Sequence, residues 1–317
     1  MIPQIHALTG NLLWEQTLTF PKWATGRTQR ATSAAFQVGG KGINVAKMLA
    51  RLSAPGTALC FPGRATGAEC EAWVRAQGIA CRTFPVARST RLGLVVRSPD
   101  QPETTFLGPD APIEESAAQA CADYLDQCTA GDVLAVCGSV PGWGTDACAP
   151  LRVAIGRWIA RGPVVADTYG PPLQWLIEQP VAWVKVNRHE FDALFNEAER
   201  SGPVVNRLRL AAERWLPRAW IVTDGPEPVW FIEQGGSPSS LTPPPVTEVS
   251  STGSGDVLHA CLLHAVFHHQ RTLEDALQQA LPYAAANAAH AGVADFPLEN
   301  LPPIGPVAQP EQDSADA

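Results

Sequence analysis

The sequence lacks the cysteine patterns of a disulfide framework or a metal site. Its eight cysteines form no Cys-x-x-Cys pair and no metal-type cluster. Several lie inside apolar stretches, as Cys137 does after Leu134-Ala135-Val136, which is typical of reduced, buried thiols. His264 and His268 stand four residues apart, and we expect core or solvated histidines there rather than a metal pair. These features favour a cytoplasmic protein.

Excess positive charge and long apolar runs are also missing. The 23 Lys and Arg residues face 31 Asp and Glu residues, and the resulting net charge of −8 argues against nucleic-acid and anionic-membrane partners. No apolar run approaches the length that spans a bilayer, and no basic and apolar signal sequence opens the chain. Hydrophobic residues make up 45% of the 317, which is enough for a sizeable core.

Two common nucleotide-binding signatures are absent as well. The stretch Gly39-Gly40-Lys41-Gly42-Ile43-Asn44 lacks the GxxxxGK[ST] spacing of a phosphate loop, although three glycines in four residues indicate close approach of a ligand to the backbone. Gly253-Ser254-Gly255 continues as Asp-Val-Leu and does not complete a GxGxxG pattern. A dinucleotide-dependent Rossmann enzyme is therefore the weakest of the enzyme alternatives.

The stretch Ser251 to Asp256 is the strongest chemical signal that is present. Its small residues permit a tight turn before an apolar helix, so several backbone N–H groups point at one spot and form an anion hole. Asp256 beside such a hole fits a base that takes a proton from a hydroxyl attacking a phosphoryl group. The alternative is a capped helix after a surface turn, with Asp256 serving the helix dipole.

The middle and end of the chain alternate strand and helix, which predicts a parallel sheet flanked by helices. Small polar motifs follow the predicted strands that end at 137, 166, 186 and 223. Because ligands bind at the carboxyl ends of parallel strands, these motifs favour one site. The strand-rich pieces 5–38 and 92–107 break the alternation, and we expect a small separate sheet that covers the site. The tail from 302 to 317 is rich in Pro, Asp, Gln and Ala, which predicts disorder.

Four segments together resemble the ribokinase-like sugar kinases, the PfkB carbohydrate kinase family. They are, in the family's order, Gly39-Gly40-Lys41-Gly42-Ile43-Asn44-Val45-Ala46, Gly138-Ser139-Val140-Pro141-Gly142, Lys185-Val186-Asn187-Arg188-His189-Glu190 and Thr252-Gly253-Ser254-Gly255-Asp256. The similarity runs from about residue 5 to about residue 295. Within the family, the motifs are most similar to those of the phosphofructokinase and tagatose-phosphate kinase branch. It implies an α/β fold with a central, mostly parallel sheet and a small β-sheet lid, in one domain over 1–301.

The resemblance also assigns the catalytic and nucleotide-binding residues. It implies that Asp256 is the base and that Gly253, Ser254 and Gly255 form the anion hole for the transferred phosphoryl group. Asn187 and Glu190 match the NxxE motif that orders Mg²⁺ and its waters around the phosphates of ATP, whereas Glu190 by itself reads as a solvated charge. Thr223 and Gly225 match the turn beside the nucleotide, where Pro226 and Pro228 are atypical. The resemblance leaves open a monovalent cation as a further cofactor.

On the acceptor side, the resemblance assigns residues to the sugar and to a phosphate that it already carries. The sugar residues are Asn11, Glu15, Gly39, Gly40, Asn44 and Ser139. The residues assigned to the phosphate are Arg27, Lys41 and Arg91. Without the resemblance, each of them alone would be interpreted as a surface charge. Glu15 stands where the branch has Asp, and Gly93 stands where it often has Asn, so the substrate or its pose differs from the branch's pattern. An exposed strand residue is the alternative for Glu15.

The expected function is ATP-dependent phosphoryl transfer to a hydroxyl of a fructose- or tagatose-phosphate, in a homodimer assembled through the lid. A kinase of an unphosphorylated sugar or nucleoside is the first alternative, and it would not depend on Arg27, Lys41 or Arg91. A non-catalytic sugar- or nucleotide-binding relative is the second, and a base at Asp256 argues against it, since a binder needs no base.

Overall fold

The computed structural model describes residues 2–99 and 101–305, and in these residues two β-sheets form. Nine strands make the large sheet, in the order β13-β12-β11-β10-β9-β8-β1-β4-β5. The strands of the large sheet are β1 (Ile5–Thr9), β4 (Gly56–Cys60), β5 (Cys81–Thr83), β8 (Val133–Cys137), β9 (Val164–Asp167), β10 (Trp183–Asn187), β11 (Ala219–Asp224), β12 (Glu227–Glu233) and β13 (Ser239–Leu241). All neighbours pair in parallel except β11–β12 and β12–β13, which are antiparallel.

The smaller sheet has the order β3-β2-β6-β7. Its strands are β2 (Leu13–Thr19), β3 (Ser33–Gly39), β6 (Arg91–Ser98) and β7 (Gln101–Leu107). Leu92, Phe106 and Leu107 are each more than half exposed on it, at 51%, 53% and 55%. Thr252 Oγ1 donates to Glu103 Oε1 at 3.1 Å, so this small sheet reaches the loop before Asp256. A small sheet from these two regions was predicted, and we call it the lid.

The prediction placed the start of the lid at about residue 5, and that boundary is wrong. Ile5–Thr9 is β1 and lies in the middle of the large sheet, between β8 and β4. All five of its residues are buried, because helices cover both faces of a central parallel strand. The lid takes its first strand only after Gly10, Asn11 and Leu12 have carried the chain away from the carboxyl end of β1.

Helices cover the large sheet. They are α1 (Lys41–Arg51), α2 (Arg64–Ala76), α3 (Glu115–Gln127), α4 (Ala149–Ile159), α5 (Pro171–Leu176), α6 (Arg188–Asp192), α7 (Glu197–Arg200), α8 (Val204–Arg214), α9 (Ser254–Leu263) and α10 (Leu273–Ala288). The strand and helix alternation was predicted, but the expected helix 189–198 is instead α6 and α7, because Asn196 starts a new helix as its N-cap. The expected helix 256–269 likewise changes to a π-turn over His264–His268. Among the described residues, no helix is long and apolar enough to cross a membrane.

The first residues of the predicted tail are packed against α10 and its neighbours. Tyr283 donates to the Pro302 carbonyl at 2.8 Å, the Arg271 guanidinium donates to the Gly305 carbonyl, and Ile304 is buried. The predicted start of the disordered tail at residue 302 is therefore wrong, because 302–305 have fixed partners. The rest of the predicted tail, 306–317, lies outside the described residues.

Helix α1 lies unusually close to strand β1, and a glycine permits this approach. A Cβ on Gly42 would overlap Thr9 Oγ1 and would lie 3.0 Å from the Leu8 backbone, so an added side chain would force its neighbours to move. The contact fixes the start of α1 against the carboxyl end of β1. It therefore holds Lys41 and Asn44 at the same edge of the sheet as the ends of β8, β9 and β10.

Gly42→Ala is expected to lower the free energy of unfolding by about 1–3 kcal/mol, because the added methyl group overpacks the contact between α1 and β1. Urea denaturation of both proteins measures the change. Gly156→Ala is the matched control, since Gly156 lies in α4 with open space around its Cβ position. That control should gain about 0.5–1 kcal/mol from helix propensity. Equal stability of Gly42→Ala and the wild type would contradict the close approach.

Candidate active site

Asp256 lies in the first turn of α9 and is 6% exposed. Asn44 Nδ2 donates to its Oδ2 at 2.7 Å, so the two glycine-rich motifs predicted to form one site meet here. Burial raises the pKa of the Asp256 carboxyl, the negative charge of Asp167 adds to this, and Lys41, the Asn44 hydrogen bond and Lys185 oppose it. The resulting pKa is about 6, against an ordinary value of 3.8. Such a carboxylate is a stronger base than a solvated one and is still ionised at neutral pH.

The loop before Asp256 offers two backbone N–H groups rather than the predicted three. Gly253 is the N-cap of α9 and has a left-handed φ of 78°, which glycine adopts without strain. Ser254 N–H donates to the Ser251 carbonyl at 3.2 Å, so Ser254 does not supply a free amide. In the described part of the chain, the amides of Gly253 and Gly255 donate to no protein acceptor.

Asn287, in α10, holds this loop in place. It is fully buried, and its Nδ2 donates to the Thr252 carbonyl and to Ser254 Oγ, each at 3.0 Å. Its Oδ1 accepts from the Ala294 N–H at 2.7 Å. All the polar atoms of the side chain are thus occupied by the backbone and side chains around the loop. Asn287 was not predicted, and its only signal in the sequence is one amide in an alanine-rich helix.

A buried carboxylate between two ammonium groups lies beside Asp256. Asp167, at the end of β9, is fully buried, and its two oxygens lie 2.8 Å from Lys41 Nζ and 2.8 Å from Lys185 Nζ. Burial opposes ionisation of Asp167, but Lys185 and Lys41 outweigh it and hold its pKa well below the usual range. For Lys41, burial is likewise outweighed by Asp167, Asp256 and Glu190, which raise its pKa. Asp167 and Lys41 are therefore charged at neutral pH.

The network lies close to the backbone of the loop before Asp256. A Cβ on Gly255 would lie 3.1 Å from Lys185 Nζ, so the ammonium group is next to the free amide of this residue. A phosphoryl oxygen at the loop would therefore meet both a backbone donor and a cation. Asp167 and Lys185 were not predicted as site residues. Their signals are an aspartate at a strand end and a lysine inside an otherwise apolar strand.

The Asn187-x-x-Glu190 motif forms the N-cap of α6. Asn187 Oδ1 accepts from the Glu190 N–H at 2.8 Å, and Glu190 Oε2 accepts from the Asn187 N–H at 2.9 Å, which is a capping box. Asn196 and Glu199 form the same box at the start of α7, so the spacing alone is a cap signal. Only at Glu190 does the other oxygen reach this network, since Oε1 lies 3.5 Å from Lys41 Nζ.

The predicted sugar side gathers around an aspartate that was not predicted. Asn11 Nδ2 donates to Asp110 Oδ1 at 2.8 Å and to Ser139 Oγ at 2.9 Å. Arg91 Nη1 lies 3.1 Å from the same Asp110 oxygen. The structure thus brings Asn11, Arg91 and Ser139 together as predicted. Asp110 follows Gly108-Pro109 in an exposed loop, a position for which the sequence gives no catalytic signal.

The remaining predicted residues divide between the site and the surface. Glu15 Oε2 lies 3.4 Å from the Cβ position of Gly39, and burial raises the pKa of Glu15 although Gln37 donates to its carboxylate. Gly40 approaches Asn11, with the Asn11 carbonyl 3.5 Å from its Cβ position. Arg27 lies in an exposed turn of the lid and makes no ion pair within the described ranges.

The predicted nucleotide side lies at the ends of two neighbouring strands. Asn187 of β10 pairs in register with Thr223 of β11, and Thr223 Oγ1 donates to the Val186 carbonyl at 3.5 Å. Gly225 follows with a left-handed φ of 58°. These residues lie at the same edge of the sheet as Asp167 and the start of α9.

Comparison with known proteins identifies the class to which this fold and site belong. Residues 11–301 match the sequence profile of the pfkB family carbohydrate kinases. Among solved structures, phosphofructokinase-2 from Escherichia coli in complex with fructose-6-phosphate has a TM-score of 0.81 at 21% identity, covering 91% of this chain and 94% of that one. Ribokinase from Thermotoga maritima has a TM-score of 0.74 at 17% identity, with 94% and 96% covered. The fold is therefore ribokinase-like, as predicted.

Curated relatives indicate which carbohydrate kinases this chain is similar to in sequence. The 1-phosphofructokinase of Xanthomonas campestris is 31% identical over 293 residues, covering 89% of this chain and 90% of the relative. The ATP-dependent 6-phosphofructokinase isozyme 2 of Escherichia coli is 27% identical, covering 72% and 74%. This chain belongs to the pfkB family of carbohydrate kinases. It is a kinase, a phosphotransferase with an alcohol group as acceptor, and the family implies ATP and Mg²⁺.

Asp256→Asn is expected to stabilise the protein at pH 7 by about 1–3 kcal/mol, because ionising this buried carboxyl destabilises the folded state. The pKa of Asp256 is higher in the folded state than in the unfolded state. The protonated carboxyl therefore stabilises the folded protein below pH 3.8, and this stabilisation is lost as the pH rises to about 6. The gain from Asp256→Asn should therefore grow over that window and vanish below it. Urea denaturation at several pH values measures it.

Asp123→Asn is the control for this series, since Asp123 is exposed on α3. Its free energy of unfolding should follow the wild type within about 0.5 kcal/mol at every pH. A loss of stability in Asp256→Asn at pH 7 would show that the ionised carboxylate is instead well compensated by Lys41, Lys185 and Asn44.

Proposed function

We propose that this chain transfers the terminal phosphoryl group of ATP to a hydroxyl of a sugar phosphate of the fructose- or tagatose-phosphate type. The observation that carries the proposal is Asp256, a buried carboxylate with a pKa near 6 beside two free amides at the start of α9. The names of the curated relatives, 1-phosphofructokinase and 6-phosphofructokinase isozyme 2, support the substrate class.

Asp256 would accept the proton of the attacking hydroxyl, and Asn44 keeps its carboxylate oriented. The amides of Gly253 and Gly255 would stabilise the charge on the transferred group, with Lys185 beside them. Lys41 contacts the other oxygen of Asp167. Phosphoryl transfer depends mainly on positioning and charge neutralisation, and these residues supply both.

The residues present fit a Mg²⁺ ion that is held mainly by nucleotide phosphates and water. Asp167 is occupied by two lysines, and Asn187 Oδ1 is occupied by the helix cap. Glu190 Oε1 lies outside the helix cap, 3.5 Å from Lys41 Nζ, and it would be the carboxylate oxygen that holds a water of the ion. When bound, the ion would offset the charge of the phosphates. The nucleotide itself would lie along Asn187, Thr223 and Gly225.

For the acceptor, we propose that the sugar lies between Asp256 and Asp110. Gly39 and Gly40 would let it approach the backbone, and Asn11, Glu15, Asn44 and Ser139 would bond its hydroxyls. The Glu15 side chain is one methylene longer than aspartate, and its carboxylate already accepts a hydrogen bond from Gln37. More than for the other residues of this group, its contact with the sugar therefore depends on which sugar binds.

We further propose that the lid closes over the site to exclude water, which would otherwise compete as the phosphoryl acceptor. Its contact between Glu103 and Thr252 couples it to the catalytic loop. The exposed Leu92, Phe106 and Leu107 favour association of two copies through the lid, in a homodimer.

One observation favours a second candidate, a kinase of an unphosphorylated sugar. Two of the three cations expected to bind an existing phosphate already have acidic partners, Asp167 for Lys41 and Asp110 for Arg91. The third, Arg27, lies on the exposed turn of the lid. On this alternative, removing Arg27 or Arg91 would leave activity on free sugars largely intact, whereas Lys41 is also part of the charge network around Asp167.

The acid limb of kcat/KM for the acceptor is expected near pH 6, with a tenfold loss per pH unit below it, because protonated Asp256 cannot act as a base. Asn44→Ala removes a hydrogen bond to the ionised carboxylate and should move this limb to higher pH. Comparing the two profiles at saturating MgATP cancels the titration of ATP. If the acid limb does not move in Asn44→Ala, a group other than Asp256 is responsible for it.

ADP release with MgATP, measured against a panel of free and phosphorylated sugars, tests the function itself. We expect turnover on fructose 1-phosphate, fructose 6-phosphate or tagatose 6-phosphate. Asp256→Asn keeps the shape of the side chain and should lower kcat by about 10² or more, while ATP binding survives.

The panel separates the alternatives. Turnover confined to free sugars or nucleosides would support the second candidate. Binding of ATP with turnover on no sugar would point to a relative that only binds. Unchanged turnover in Asp256→Asn would refute its assignment as the base.

A further inference from the structure

We infer that Arg64 and Arg88 form the subsite for the phosphate that the acceptor already carries; this rests on the proposed function. The two arginines are exposed and line an open surface groove of about 330 Å³ together with Ser89, Pro109, Asp110 and Ala111. Neither arginine is in an ion pair within residues 2–99 and 101–305. They are thus cations without acidic partners, beside a space large enough for a phosphate group.

The groove adjoins the proposed sugar site through Asp110. Its Oδ1 accepts from Asn11 and pairs with Arg91, so one side of this residue faces the sugar site and the other lines the groove. In the proposed function the sugar lies between Asp110 and Asp256, and Asn44 contacts Asp256. A phosphosugar that presents a hydroxyl to Asp256 would therefore direct its phosphate towards Asp110 and the two arginines.

Arg91 already has an acidic partner in Asp110, whose charge it neutralises. Arg64 and Arg88 have no such partner among residues 2–99 and 101–305, so these two cations remain to bind an anion. Glu114, the other carboxylate nearby, accepts from the Ala87 N–H and is engaged there.

The backbone at Arg64 supports a functional rather than an incidental arginine. Arg64 has a left-handed φ of 53°, a conformation that favours glycine and is strained for a long side chain. Its Nε donates to the Ala87 carbonyl, which orients the guanidinium towards the segment that carries Arg88. Gly63 and Thr90 join the two segments further, since Gly63 N–H donates to Thr90 Oγ1 and Thr90 N–H donates to the Gly63 carbonyl.

The experiment uses Arg64→Gly, Arg88→Gln and the double variant. Glycine suits the φ of residue 64, so Arg64→Gly removes the charge without strain, and its thermal midpoint should equal or exceed that of the wild type. Arg75→Ala is the matched control, because Arg75 is exposed on the same helix and does not line the groove. Arg91→Ala tests the competing location of the phosphate.

The readouts are KM for whichever of fructose 1-phosphate, fructose 6-phosphate and tagatose 6-phosphate the wild type phosphorylates, KM for ATP, and calorimetric binding of the same sugar without nucleotide. Each single variant should weaken phosphosugar binding about tenfold and the double about a hundredfold, with ATP unaffected. Inorganic phosphate should compete with the acceptor in the wild type and much less in the double variant. Arg75→Ala should match the wild type.

Two results would overturn this subsite while leaving the proposed function intact. One is a double variant that binds phosphosugars like the wild type while Arg91→Ala does not. The other is inhibition by inorganic phosphate that depends on Arg64 and Arg88 but does not compete with the acceptor, as a regulatory anion site would produce. If the wild type neither binds nor phosphorylates any phosphosugar, the proposed function fails, and the subsite fails with it.

Discussion

The buried carboxylate of Asp167 is the group on which the charge balance of the site depends. It holds two ammonium groups at 2.8 Å, one on α1 and one on β10, and its negative charge adds to the burial that raises the pKa of Asp256. Without it, Lys41 and Lys185 would repel each other next to the loop that must bind a phosphoryl group. With it, both lysine side chains are held in place before a substrate arrives.

This arrangement shows why a buried site can carry so many charges. Taking each ion out of water is costly, and pairing offsets that cost only when every oxygen and ammonium group has a partner. Asp167 uses both of its oxygens, and Asn44 and Asn287 use their amides to fix Asp256 and its loop. The large parallel sheet makes this possible, because the ends of β8, β9 and β10 lie side by side.

Much of the fold followed from local patterns. The alternation of apolar strands with helices predicted the parallel sheet. The resemblance of the glycine turns at 39–44 and 251–256 to the family placed Asn44 and Asp256 in one active site. The place of β1 was missed, because nothing local tells a central strand from a lid strand nearby in sequence. Asp110, Asp167, Lys185 and Asn287 were missed for a related reason. Their partners lie far away in the chain, and only the tertiary fold brings them together.

The twin helix caps of α6 and α7 show how a stabilising device can become a functional one. A capping box occupies one oxygen of its glutamate and leaves the other without a required partner. At Glu199 that oxygen meets Arg214 on the surface, whereas at Glu190 the position of α6 turns it towards Lys41. A helix that starts with a capping box at the end of a parallel strand therefore holds one carboxylate oxygen rigidly at the edge of the sheet. That oxygen is available for a function in the site.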